Sequence, residues 1–211
     1  MSNAGGGHVL RWSLWDGEDG AGALIDGCPP GIVLDDAAVG ASILSGTFEG
    51  RTTGTPIAVK VAGGPAPALR AAGAVARKII EGVSVRAEVQ GADVTCVADD
   101  VPAGWGAPVY AKLDAELAGA IGAIAGARRI EIGDGFAAAR LTGSENADAM
   151  RAGPSFLSNH AGGILGGISS GQPVVLRVGF DPMPEHAAEL VAACVALVLA
   201  DQKLLHRAQC G

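Results

Sequence analysis

Three carboxylates fall within four residues on a glycine-flanked stretch, Asp16-Gly17-Glu18-Asp19-Gly20. Carboxyl groups held this close can differ in proton affinity, so that one acts as acid and another as base toward a small substrate. The same three side chains also suit a solvated acidic turn or a hard-cation site. His160, preceded by Asn159, leads into a run containing Gly162, Gly163, Gly166 and Gly167. Its imidazole is suited to general acid or base work near neutral pH, or to a structural bond with loop backbone. The glycines would let backbone approach a planar ligand or turn tightly, and their spacing is neither a dinucleotide nor a P-loop signature. His8 and Arg11 stand near Trp12 and Trp15, where an arginine beside tryptophan suits a carboxylate or an aromatic ligand, or a plain surface ion pair. Arg51, Thr53 and Asp134, read alone, are turn residues.

The elements that must position these groups follow from periodicity. Residues 9–14 and 23–25 read as strands joined by a loop over 15–22 and stopped by the turn-dense Asp26-Gly27-Cys28-Pro29-Pro30-Gly31. Residues 43–48 and 57–61 read as a hairpin. From Pro67, Leu69, Gly73, Ala76 and Ile80 share one helical face, and residues 83–90 then alternate as a strand with one wet side. Leu113, Leu117, Ile121 and Ile124 make a second helix that ends at Gly126, with a strand at 130–132 beyond it. Residues 143–160 show neither period and predict a long loop of the kind that often carries function. A strand over 174–180 and a long helix over 185–207 complete an α+β order of helices on antiparallel sheets.

One pattern occurs twice: an Ile-Leu-x-Gly run, glycine-rich turns, Gly-x-Pro and an apolar strand, at residues 43–57 and 164–174. In both copies a second proline follows, Pro67 after Pro56 and Pro184 after Pro173. An internal duplication, with halves of about 8–125 and 126–211 in one domain, is the expectation. The chain's 211 residues can bury a core, and with 4% aromatic content that core must be Ala, Val, Ile and Leu packed around glycine. A net charge of -7 argues against nucleic acid. Residues 191–200 are too short an apolar run to span a bilayer, and the start at residues 1–7 does not read as a signal peptide. Cys28, Cys96, Cys194 and Cys210 form no CxxC and suggest reduced thiols in a cytoplasmic protein, with no metal site.

Several stretches together resemble the chorismate synthase family: Gly7-His8-Val9-Leu10-Arg11, Ile25 through Gly31, Leu44 through Ile57, Glu131-Ile132-Gly133-Asp134-Gly135-Phe136, and Asn159-His160-Ala161-Gly162-Gly163-Ile164-Leu165-Gly166-Gly167-Ile168-Ser169. The resemblance implies a β-α-β sandwich of two pseudo-symmetric halves, a tetramer, reduced FMN, and loss of phosphate from 5-enolpyruvylshikimate 3-phosphate. By the same resemblance Asn159, Gly162, Gly163 and Gly167 would line FMN, if flavin is retained. His8, Arg11, Trp15, Arg51, Thr53 and Asp134 would border the substrate.

The departures fall on chemistry. Asp19 stands where the family has the histidine of Phe-Gly-Glu-Ser-His-Gly, and the second family histidine has no counterpart. The Arg-Arg-Arg-Pro-Gly segment is missing between Ile32 and Ile43, as is the long arginine-rich insertion between Val61 and Ala71. A phosphorylated dicarboxylate needs several guanidinium donors. The sequence therefore predicts a divergent member, with no cofactor and with Asp16, Glu18, Asp19 and His160 performing elimination, isomerisation or cyclisation on a small cyclic or aromatic substrate. Alternatives are a non-catalytic ligand- or partner-binding protein, and an FMN-binding phosphate lyase with a reduced site. A homo-oligomer, dimer or tetramer, is expected from the apolar last helix and hairpin edges, with neither nucleic acid nor membrane as partner.

Overall fold

The computed structural model describes residues 1–2, 8–151, 153 and 155–210, with backbone alone for Cys210. The glycines of the start (residues 3–7, with Gly7 of the first family stretch) and the Cys210 thiol lie outside them. The chain forms two compact units, one of residues 1–81 with 192–211 and one of residues 82–191. The proposed duplication boundary near 125 is a separate matter of ancestry.

In the first unit β1 (Arg11–Gly17) and β2 (Gly20–Asp26) form a hairpin in full register. Strands thus run closer to the turn than the loop expected over 15–22. Trp15 lies opposite Gly22, where a Cβ would sit 2.1 Å from the indole; only glycine leaves room for the ring. A short α1 (Asp36–Val39) is capped by Asp35, whose Oδ1 accepts from the Ala38 N–H at 2.7 Å. Then follow β3 (Ser42–Ile43), the small hairpin β4 (Thr47–Phe48) and β5 (Arg51–Thr52), and β6 (Ile57–Val61), giving a sheet ordered β1-β2-β6-β3. The hairpin expected over 43–61 exists as β3 paired with β6, with a second, smaller hairpin inserted between them.

Helix α2 (Pro65–Ile79) begins with proline at its first position, where the missing N–H costs nothing. Leu69, Ala72, Val75, Ala76 and Ile80 are buried on the face that meets β1, β2 and β6. Each buried Leu or Ile contributes roughly 1.5–3 kcal/mol. Gly73 is where α2 meets the last helix: a Cβ there would lie 2.5 Å from Ala193 Cβ and 2.7 Å from its Cα. Gly73→Ala gains about 1 kcal/mol of helix propensity but must separate two backbones. A net loss of about 1–2 kcal/mol is expected in urea denaturation, and unchanged stability would show that the helices part freely.

The second unit holds β7 (Ser84–Gln90), β8 (Asp93–Asp99), α3 (Leu113–Gly122), β9 (Ala127–Ile132), the two-residue strands β10 (Ile164–Leu165) and β11 (Ile168–Ser169), and β12 (Val174–Phe180). Its main sheet is ordered β7-β8-β12-β9 and is antiparallel throughout. Strand β8 was not expected, although Val94, Cys96 and Ala98 alternate and are fully buried. A 3-10 turn at Gly135–Arg140 was likewise unforeseen. Cross-strand pairs on this sheet, Arg129 with Asp93 at 2.7 Å and Arg177 with Glu131 at 3.1 Å, are exposed on the arginine side and contribute at most about 1 kcal/mol each.

The final helix α4 (Ala187–Cys210) is buried along residues 190–202. No helix among the described residues is long and apolar enough to cross a membrane. Cys28, Cys96 and Cys194 are buried and form no disulfide among the described residues, and burial pushes the Cys28 thiol up to about 11 despite a hydrogen bond with Thr52.

Candidate functional site

The best-built pair of ionisable groups lies in the second unit. His160 Nδ1 and Asp134 Oδ2 are 2.7 Å apart, each side chain about one-third exposed. Backbone supports the pairing, since the Asp134 N–H donates to the His160 carbonyl at 2.8 Å. Gly133 allows this approach: at φ 58°, a Cβ on it would lie 2.1 Å from that carbonyl. A carboxylate on Nδ1 fixes the ring's orientation and leaves Nε2 to exchange protons.

A second carboxylate, unnoticed in the sequence, holds the loop in place. Asp148 accepts from the Ser158 hydroxyl at 2.7 Å and from the N–H groups of His160 and Ala161 at 2.7 and 2.9 Å. Burial pushes the Asp148 carboxyl up, but those bonds and the His160 charge outweigh it, and its pKa lies below the ordinary 3.8. A carboxyl lowered on folding stabilises above its unfolded value and loses that contribution as pH falls through the lower, folded value. Exchange of the His160 and Ala161 amides is therefore expected to accelerate beyond the intrinsic trend below about pH 4. In Asp148→Asn both amides should be unprotected even near neutral pH, and protection equal to that of the parent would contradict the clamp.

Asn159 is fully engaged in the turn: Nδ2 donates to the Pro173 carbonyl at 2.9 Å and Oδ1 accepts from the Gly163 N–H at 2.6 Å. The glycines are occupied too. A Cβ on Gly162 would meet Gly133 N at 2.3 Å, on Gly163 the Pro173 carbonyl oxygen at 2.4 Å, and on Gly167 the Lys112 side chain at 2.6 Å. Each of these three glycines lets the turn approach the protein's own atoms closely. At the tip of the β10–β11 hairpin, Gly166 faces open space beside Leu165, which is half exposed, and Lys112 stands exposed by Gly167. A flavin needs a flat apolar support and a cation for its phosphate. Around this hairpin Leu165, Gly166 and Lys112 leave an apolar side chain, an open glycine and a cation accessible.

The carboxylates expected to be catalytic are in the first unit. Glu18 and Asp19 form the two-residue turn between β1 and β2, and Asp16 lies opposite Ala21. All three are exposed at the end of this hairpin. Among the described residues no group of His, Cys, Asp and Glu could hold a metal.

The expected substrate contacts also have structural partners. His8 Nδ1 lies 2.7 Å from Asp201 Oδ2, and Asp201 Oδ1 accepts from the Val9 and Leu10 N–H groups at 2.8 Å. This buried aspartate pins the start of the first strand and holds the His8 ring beside it. Arg11 pairs with Asp26 opposite it, the surface ion pair of the alternative reading. Arg51 Nη1 donates to the Gly31 carbonyl at 2.9 Å, and the Thr53 hydroxyl lies 3.2 Å from the Gly46 carbonyl and 2.8 Å from the Thr55 hydroxyl. Of the predicted set, the structure brings Asp134 and His160 into contact. No sequence signal announced Asp148 or Asp201, which act across 10–13 and 191–193 residues.

Two antiparallel sheets with helices, and a glycine-built turn carrying a histidine–aspartate pair, define a class that the comparisons identify. The chorismate synthase family model matches residues 64–196. A chorismate synthase of Novosphingobium aromaticivorans is 38% identical over 349 positions, covering 97% of this chain and 98% of that protein. One of Rhizorhabdus wittichii is 36% identical over 350 positions, with 97% and 98% covered. A crystal structure titled as chorismate synthase superposes with a TM-score of 0.86 at 22% identity, over 93% of this chain and 92% of that one. The chain belongs to the chorismate synthase family. Since 349 aligned positions meet 211 residues, the deletions read from the sequence are internal to an end-to-end relationship.

Proposed function

We propose that this protein is a phosphate-eliminating lyase of the chorismate synthase type, working on FMN with a reduced site. The observation that carries this is 38% identity spanning 97% of the chain and 98% of a relative named chorismate synthase. It favours the inherited reaction over the divergent one expected from the sequence, and it favours FMN over no cofactor. Reduced FMN, when bound, supplies an electron-rich ring to the allylic phosphate. The chain's own part would be to hold and to move protons: Lys112 would pair the flavin phosphate, Leu165 and Gly166 would support the ring, and His160, oriented by Asp134, would exchange a proton at Nε2. Titration of the protein with FMN, followed by flavin fluorescence, tests the reading. Saturable quenching that weakens in Lys112→Gln is expected, and its absence would remove flavin from the account.

A second reading, acid/base chemistry on a different small cyclic substrate, is favoured by Asp19 in place of the family's histidine. It requires Asp19→Asn to abolish turnover; undiminished turnover rejects it. A homo-oligomer accompanies the first reading, supported by the exposed Val109, Tyr110 and Phe136 and checked by sedimentation.

A further inference from the structure

Two helix ends and a hairpin surround a cavity of about 640 Å³ within the first unit. Arg51 of β5, Arg77 and Lys78 of the last turn of α2, and Lys203 and Arg207 of α4 line it, against a single carboxylate, Glu81. Five of the chain's 15 basic residues thus gather at one place in a protein of charge -7. Helix C-termini attract cations, which accounts for Arg77, Lys78 and Arg207 taken singly. It accounts neither for Arg51, which a hairpin supplies, nor for the facing of all five onto one hollow.

Lys203 shows the consequence of that crowding. Its Nζ donates to the Ile79 carbonyl at 2.8 Å, and its pKa is lowered by burial and then by neighbouring Arg207, with Glu81 opposing. A bound anion would relieve this repulsion. The rest of the lining is apolar, including Pro30, Ile32 and Leu204. The volume is that of a small-molecule pocket. The cavity stands where β2 runs out into residues 29–33, the end of the sheet opposite the Glu18–Asp19 turn.

We propose that this cavity is a binding site for a small organic phosphate, its anionic group held by Arg51, Lys78 and Arg207 and its apolar body resting on Pro30, Ile32 and Leu204. Its lining shares no residue with the turn around His160, and the proposal is independent of the flavin reading. Isothermal titration of the full chain at low ionic strength with phenyl phosphate, inorganic phosphate and phenol tests it. Phenyl phosphate should bind saturably and more tightly than inorganic phosphate, phenol should not bind, and Lys78→Gln and Arg207→Gln should each weaken phenyl phosphate by about tenfold, the size of one charge-assisted contact. His160→Ala should leave this binding unchanged. Absence of saturation, equal affinity for the two phosphates, indifference to both cation variants, or loss in His160→Ala would each overturn the proposal.

Discussion

Asp201→Ala is expected to lower the unfolding free energy by about 3–5 kcal/mol, since it takes one buried acceptor from three donors at about 1–3 kcal/mol each. The carboxylate is 3% exposed and receives three donors: the His8 ring and the N–H groups of Val9 and Leu10. Alanine leaves all three without it, and Leu10 is itself fully buried, where no water can substitute. Domains are stable by only about 5–15 kcal/mol, so the loss is a large share. Asp201→Asn keeps an acceptor for the backbone donors and should recover part of the loss. Urea denaturation of the pair, with intact secondary structure checked beforehand by circular dichroism, measures this. A loss below about 1 kcal/mol for alanine would show that the aspartate is dispensable.

His160→Ala is expected to lower phosphate release by about 10²–10⁴-fold, the range for a positioned proton-transfer group. The His160 ring is paired with Asp134, while the backbone of residues 160 and 161 is held separately by Asp148. Removing the ring should therefore spare the loop. Asp134→Asn should fall between parent and alanine variant, with kcat reduced more than KM is raised, because it disturbs orientation while leaving substrate contacts alone. Parent-like kcat in His160→Ala would assign the proton to another group.

The two large helices and the strands at β6, β9 and β12 were legible because Leu69, Ala76 and Ile80, or Val174, Leu176 and Val178, repeat with the period of the face they bury. Strand β8 carried the same signal in Val94, Cys96 and Ala98, but small side chains between Gly91 and Asp100 made it weak. The site was legible only in part. His160 and Asp134 could be picked out by type and motif, yet their contact across 26 residues depends on Gly133 admitting the His160 carbonyl, which spacing does not encode. Asp16, Glu18 and Asp19 could be picked out as a group by their nearness in sequence, but their exposure on the β1–β2 hairpin belongs to the fold. The gathering of Arg51, Lys78 and Arg207 was invisible because three distant segments supply it.

Everything said of the reaction rests on the inherited chemistry surviving the loss of the arginine-rich segments. The direct test is anaerobic incubation of the purified protein with reduced FMN and 5-enolpyruvylshikimate 3-phosphate, with released phosphate and chorismate counted together. Equimolar appearance of both, in amounts exceeding the protein and abolished without flavin, is the predicted result. No phosphate above the protein-free control, from a protein shown to be folded and to bind FMN, would contradict the account.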